Sequence, residues 1–76
     1  MKEFLEFIVR FLVERPDQVH VTEAASEGRV ILRVEVAEGD RGKVIGKHGR
    51  TAEALRTLVT AAAARHGQRA LLEIVQ

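Results

Sequence analysis

Val44-Ile45-Gly46-Lys47-His48-Gly49 is the stretch on which the reading of this chain turns. Two apolar residues lead into a glycine, a basic pair follows, and a second glycine closes the run before a long alanine-rich helical pattern. Glycines at both ends allow main-chain conformations that a side chain forbids, and they let another backbone come close. The residues between them are Lys47 and His48, so the expected visitor is an anion. Gly-x-x-Gly alone is also compatible with a plain turn between two helices, and the flanks have to decide.

Downstream, Leu55, Leu58, Val59 and Ala62 repeat at helical spacing from Arg50 to about His66, with Gly67 as the residue that closes the helix. Upstream, Asp40 is placed to act as N-cap to a short helix, Arg41 to Ile45, ending at Gly46. Before that, Val30, Leu32, Val34 and Val36 alternate with Ile31, Arg33 and Glu35, the clearest period of two in the chain, so one face of that strand is core. Val19 to Ala25 predicts a second strand, joined to the first by the brief turn Ser26-Glu27-Gly28 as an antiparallel hairpin. Gln68 to Gln76 predicts a third, with Leu72 and Ile74 on one face and Leu71, Glu73 and Val75 on the other.

The chain begins with an amphipathic helix. Phe4, Phe7, Ile8, Phe11 and Leu12 form its expected inward stripe, and Pro16 ends it by disfavouring helix at Arg15. Leu5, Val9 and Val13 widen the apolar face beyond one contact stripe, which fits deep burial or a partner. Burial is the expectation, because every aromatic residue of the chain sits here and a small domain needs them inside. The order is helix, strand, strand, helix, helix, strand, which predicts an α+β fold in two layers, helices on one face of a three-stranded sheet.

Composition bounds the rest. Seventy-six residues, 46% hydrophobic and 30% charged, suit one small globular domain over residues 1–76. No apolar run approaches the ~20 residues of a membrane span, and no signal peptide is seen, so no membrane association and a cytoplasmic location are expected. Twelve Lys and Arg against eleven Asp and Glu give a net charge of +1, so bulk charge does not draw polyanions. Basic character is local: Arg41, Lys43, Lys47, His48 and Arg50 lie in ten residues with no acid after Asp40.

Several chemistries are excluded or disfavoured. A Walker A loop fails because Arg41 holds the first glycine position and His48 follows the lysine. A dinucleotide fingerprint fails because no Gly-x-Gly precedes the helix. The chain has no cysteine, and His20, His48 and His66 are too far apart for local metal-ligand spacing, so no metal or other cofactor is expected. No paired nucleophile and base is visible, and no enzymatic activity is expected.

Val44-Ile45 before the loop, the basic pair within it, a helix on each side and a strand before and after together resemble the core of the K-homology (KH) domain. The resemblance covers the whole chain, and the element order is similar to that of the bacterial, type II arrangement. In size and loop the chain resembles the short bacterial RNA-binding proteins of the KhpA family. The resemblance implies binding of single-stranded RNA, or single-stranded DNA, with low sequence discrimination, and a role as RNA chaperone or post-transcriptional regulator. It implies that Gly46, Lys47, His48 and Gly49 hold sugar-phosphate with help from Arg50, while Val44 and Ile45 floor a groove for the bases. It also implies pairing with itself, as a homodimer, or with a larger KH-containing protein. A different class stays open beside it, a protein-interaction subunit that uses the fold for dimerisation without direct RNA contact. Ala52, where many KH domains carry a larger aliphatic residue, is the one departure and would shallow or widen the groove.

Overall fold

A computed structural model describes residues 1–75. Helix α1 spans Lys2–Leu12, and strands β1 (His20–Ser26) and β2 (Arg29–Glu35) form the hairpin. Helices α2 (Arg41–Ile45) and α3 (Arg50–Ala64) follow, and strand β3 (Arg69–Ile74) completes the α-β-β-α-α-β order expected from the pattern. Gln76, assigned to the last strand from the sequence, lies outside the described residues.

The sheet has the order β1-β2-β3. β1 and β2 are antiparallel, Val21 opposite Val34 and Ser26 opposite Arg29. Glu27 and Gly28 between them both have positive φ, 49° and 79°, the handedness of the two-residue turn that matches strand twist. β3 lies parallel to β2, Leu32 beside Leu72 and Val34 beside Ile74, which requires the chain to cross over through α2 and α3. Val21, Val30, Leu32, Val34 and Leu72 therefore point to one face, and the helices close over it.

The core consists of aliphatic side chains, and none of its described members is aromatic. Here the expected face of α1 is corrected. Leu5 and Val9 are fully buried, with Ile8 and Leu12 packed beside them, whereas Phe4, Phe7 and Phe11 are 43%, 61% and 77% exposed. Both sets obey helical spacing, so periodicity cannot choose between them. The small aliphatics win because the sheet already supplies close-set valines, which leave no room for a ring.

α3 shows a smaller shift of the same kind. Its buried positions are Ala52, Leu55, Val59 and Ala63. Leu58, expected inside, is exposed. Ala63 has no exposed surface, so the methyl side lets α3 lie close to the sheet. At its end the Gln68 amide donates to the Ala63 carbonyl at 3.0 Å and the Gly67 amide to the Ala64 carbonyl at 3.0 Å, the paired bonds of a Schellman closure around Gly67.

Candidate nucleic-acid interface

α2 is five residues long and cannot hold itself in water, since isolated helices of that length are far below the marginal limit. Two anchors keep it in place. Val44, expected to floor a groove, is fully buried among the core aliphatics, and its side chain anchors the helix that leads into the loop. Ile45, beside it, is half-buried and keeps an open surface.

The second anchor is Asp40, only 3% exposed. It does stand at the start of α2, but its side chain makes no capping bond to that helix. Its carboxylate instead accepts the Glu14 amide at 3.2 Å and the Arg15 amide at 3.0 Å, just past the end of α1. Lys43 Nζ stands 3.6 Å from Asp40 Oδ1 and 3.4 Å from Glu14 Oε1. Burial pushes the Asp40 carboxyl up, but the two amides and the Lys43 ammonium outweigh it and hold the group below the usual carboxylate range. The start of α2 is thus tied to the end of α1 by a buried charge, a link that no local pattern announces. Lys43 is engaged here, which takes it out of the free basic surface.

After Ile45 the chain turns sharply. Gly46 has φ 78° and ψ 170°, a region open to glycine alone, and its amide donates to the Gly42 carbonyl at 2.8 Å. A Cβ on Gly46 would overlap Thr51 Oγ1 and stand 2.8 Å from the Thr51 amide nitrogen. The loop therefore folds directly onto the first turn of α3, and Thr51, a residue that sequence reasoning misses, is what it folds against. Its only sequence signal is a small polar residue two places after the second glycine.

Lys47, His48 and Gly49 form one tight turn, closed by the Gly49 amide on the Gly46 carbonyl at 3.1 Å. His48 adopts φ 57° and ψ 25°, the left-handed region that costs a non-glycine residue about 1 kcal/mol or more. Gly49, at φ 74°, is left-handed too and serves as N-cap of α3 without any side-chain cap bond. The start of α3, with the positive end of the helix dipole behind it, suits an anion.

Lys47, His48 and Arg50 are exposed. Among the described residues neither Lys47 nor Arg50 takes part in an ion pair. The loop thus brings Gly46, Lys47, His48, Gly49 and Arg50 to one open turn, keeps Ile45 at its edge, and withdraws Val44. Among the described residues no group of three or more His, Asp or Glu could hold a metal ion. No helix among them is long and apolar enough to cross a membrane.

Two helices joined by Gly-x-x-Gly, set on a three-stranded sheet with one parallel and one antiparallel pairing, define a KH domain of the type II order. More narrowly, the chain belongs to the family described as KhpA/KhpB, KH domain, whose model matches residues 2–74. It is 51% identical over 74 residues to RNA-binding protein KhpA of Treponema pallidum (strain Nichols), covering 97% of this chain and 92% of the relative. It is 47% identical over 76 residues to RNA-binding protein KhpA of Chlamydia muridarum (strain MoPn / Nigg), covering 100% and 97%. RNA-binding protein KhpA of Clostridium perfringens (strain 13 / Type A) is 47% identical over 75 residues, covering 99% and 100%. No solved structure matches the chain.

Proposed function

We propose that this chain binds single-stranded RNA by its sugar-phosphate backbone at the Gly46–Gly49 turn and acts in the cytoplasm as an RNA chaperone or post-transcriptional regulator. One observation carries the reading: a start of α3 with no side-chain cap, reached by a glycine turn and flanked by Lys47 and Arg50, which take part in no ion pair among the described residues. Phosphates dock at the start of α3 and on Lys47, His48 and Arg50, and the bases turn toward Ile45. The names of the relatives support RNA as the ligand. Every described aromatic side chain lies in α1, so stacking contributes little at the loop and binding is weak, broad in sequence and electrostatic.

A four-nucleotide grip is weak alone, and pairing of two chains, or of this chain with a larger KH-containing protein, raises affinity through effective concentration. The exposed phenylalanines of α1 support such pairing. They also favour a second reading, in which the chain serves assembly and does not touch RNA.

One experiment separates the two. In the Lys47→Asp/His48→Asp double variant, both changed side chains are exposed and the circular dichroism should stay that of the parent. Affinity for a single-stranded oligoribonucleotide should fall at least tenfold, and the slope of log affinity against log salt should shrink by about 0.7 for each phosphate that is no longer neutralised. Unaltered affinity would refute the assignment of the loop. A parent chain with no salt-dependent RNA affinity would favour the assembly reading.

A further inference from the structure

Arg41 Nε is buried and has no hydrogen-bond partner among the described residues, where no other buried side-chain atom is left so. The guanidinium takes part in no ion pair among them either. A buried donor without an acceptor keeps the full cost of its lost hydration, and arginine cannot shed a proton to escape it. Such a group calls for an acceptor from outside the chain.

The place of Arg41 on α2 says where that acceptor comes from. Successive residues of a helix are about 100° apart, so Arg41, Ile45 and Gly42 follow one another around α2 within a sector of about 100°. The rest of the helix is occupied: Val44, beside Arg41, enters the core, and Lys43, on the far side, pairs with Asp40 and Glu14. Arg41 and Ile45 are half-buried, Gly42 is exposed, and the sector runs directly into the turn at Gly46.

Gly42 marks the same sector independently. Its φ is not positive, and a Cβ there would meet nothing within 4 Å, so neither the backbone nor the packing of this chain calls for glycine. Glycine is also the poorest helix former after proline, in a helix already too short to hold itself. What it gives α2 is a bare strip of main chain, against which a flat group from outside can lie.

The guanidinium donates five N–H bonds in a planar fork and accepts none. A base that satisfies it presents two acceptors side by side: guanine does so with O6 and N7, cytosine with O2 and N3. Adenine sets its amino group beside N1 and N7, and uracil its N3–H between O2 and O4, so either would turn a donor toward a donor. We propose that Arg41 reads one base of the bound strand, a guanine or a cytosine, laid against Gly42 and Ile45. This rests on the RNA reading above and adds the base to it: the phosphate grip stays indifferent to sequence, and Arg41 gives one position a preference.

Titration of the full chain with fluorescent single strands tests it, using an octamer of uridines and the same octamer with one central guanine, cytosine or adenine. The guanine or the cytosine strand should bind the parent about fivefold or more tighter than the all-uridine strand, the low end of what a bidentate arginine contact discriminates, and the adenine strand should not. Which of the two is favoured names the edge that is read. Arg41→Lys keeps the charge and loses the fork, so it should abolish the preference while keeping the affinity for the all-uridine strand and its salt dependence. Gly42→Ala should leave the urea midpoint unchanged or higher and weaken binding of the preferred strand. Equal affinity of the parent for all four strands, or a preference for adenine, would overturn the base reading and leave the phosphate grip standing. No salt-dependent affinity for any strand would overturn both. A preference that survives Arg41→Lys, or an equal loss on every strand, would overturn the part given to Arg41, and unaltered RNA affinity of Gly42→Ala would overturn the seat on Gly42.

Discussion

Replacing Gly46 by alanine is the most demanding test of how the loop is built. The added Cβ would overlap Thr51 Oγ1 and stand 2.6 Å from Thr51 Cβ and 2.8 Å from the Thr51 amide nitrogen. The hydroxyl can rotate away, but the Cβ and backbone nitrogen move only if the first turn of α3 moves. Overpacking of this kind costs about 1–3 kcal/mol. The backbone adds a second cost, because φ 78° with ψ 170° is closed to alanine and holding it there takes another ~1–3 kcal/mol. The expected loss is about 2–6 kcal/mol, a large part of the roughly 4–11 kcal/mol available to a chain of 76 residues. Gly49→Ala is the control: it also has positive φ, 74°, but no atom lies within 4 Å of its Cβ, so about 1 kcal/mol is expected. Urea unfolding followed by far-ultraviolet circular dichroism reads both; with a slope near 1 kcal/mol per molar urea, the midpoint should drop by about 2–6 M for Gly46→Ala and by about 1 M for Gly49→Ala. Adding Thr51→Ala to Gly46→Ala removes only the hydroxyl contact and should return part of the loss. Equal midpoints for the two single alanine variants would refute the claim that the loop is folded against Thr51.

The remaining expectations concern the anchors of the site. Asp40→Asn removes a carboxylate whose folded value lies below the ordinary one near 4, so its stabilisation is present above about pH 4 and disappears as the pH falls through the lowered folded value. Thermal melts should show Asp40→Asn less stable than the parent at neutral pH and less sensitive to acid below about pH 4; an identical acid limb would mean that Asp40 is not the group responsible. Leu5→Ala should cost about 2–5 kcal/mol by urea unfolding, since Leu5 has no exposed surface. A change under about 0.5 kcal/mol would mean that α1 presents another face to the sheet.

Much of the fold is legible because it is written in short-range periods. The alternation from Val30 to Val36 marks a strand, the turn at Ser26 to Gly28 forces a hairpin, and Gly46 and Gly67 end helices where their φ values of 78° and 68° require it. The candidate loop is legible for the same reason, since two glycines and a basic pair act locally. Val44 is not, because an apolar residue beside a loop looks the same whether it faces a groove or the core, and only the packing of α2 beneath it distinguishes them. Nor is Asp40, because a helix-capping acid and an acid reaching twenty-five residues back to the Arg15 amide share one sequence signature.

By itself, then, the sequence determined the order of elements, the hairpin and the glycine turn with its cations, all of them consequences of backbone preference and spacing within a few residues. The tertiary structure alone decided the parallel seat of β3, the reach of Asp40 across to α1, the fit of Gly46 against Thr51, and the side of α1 that enters the core. That last choice depended on the volume left between sheet and helices: Leu5 and Val9 fit it, and the three phenylalanines were left outside.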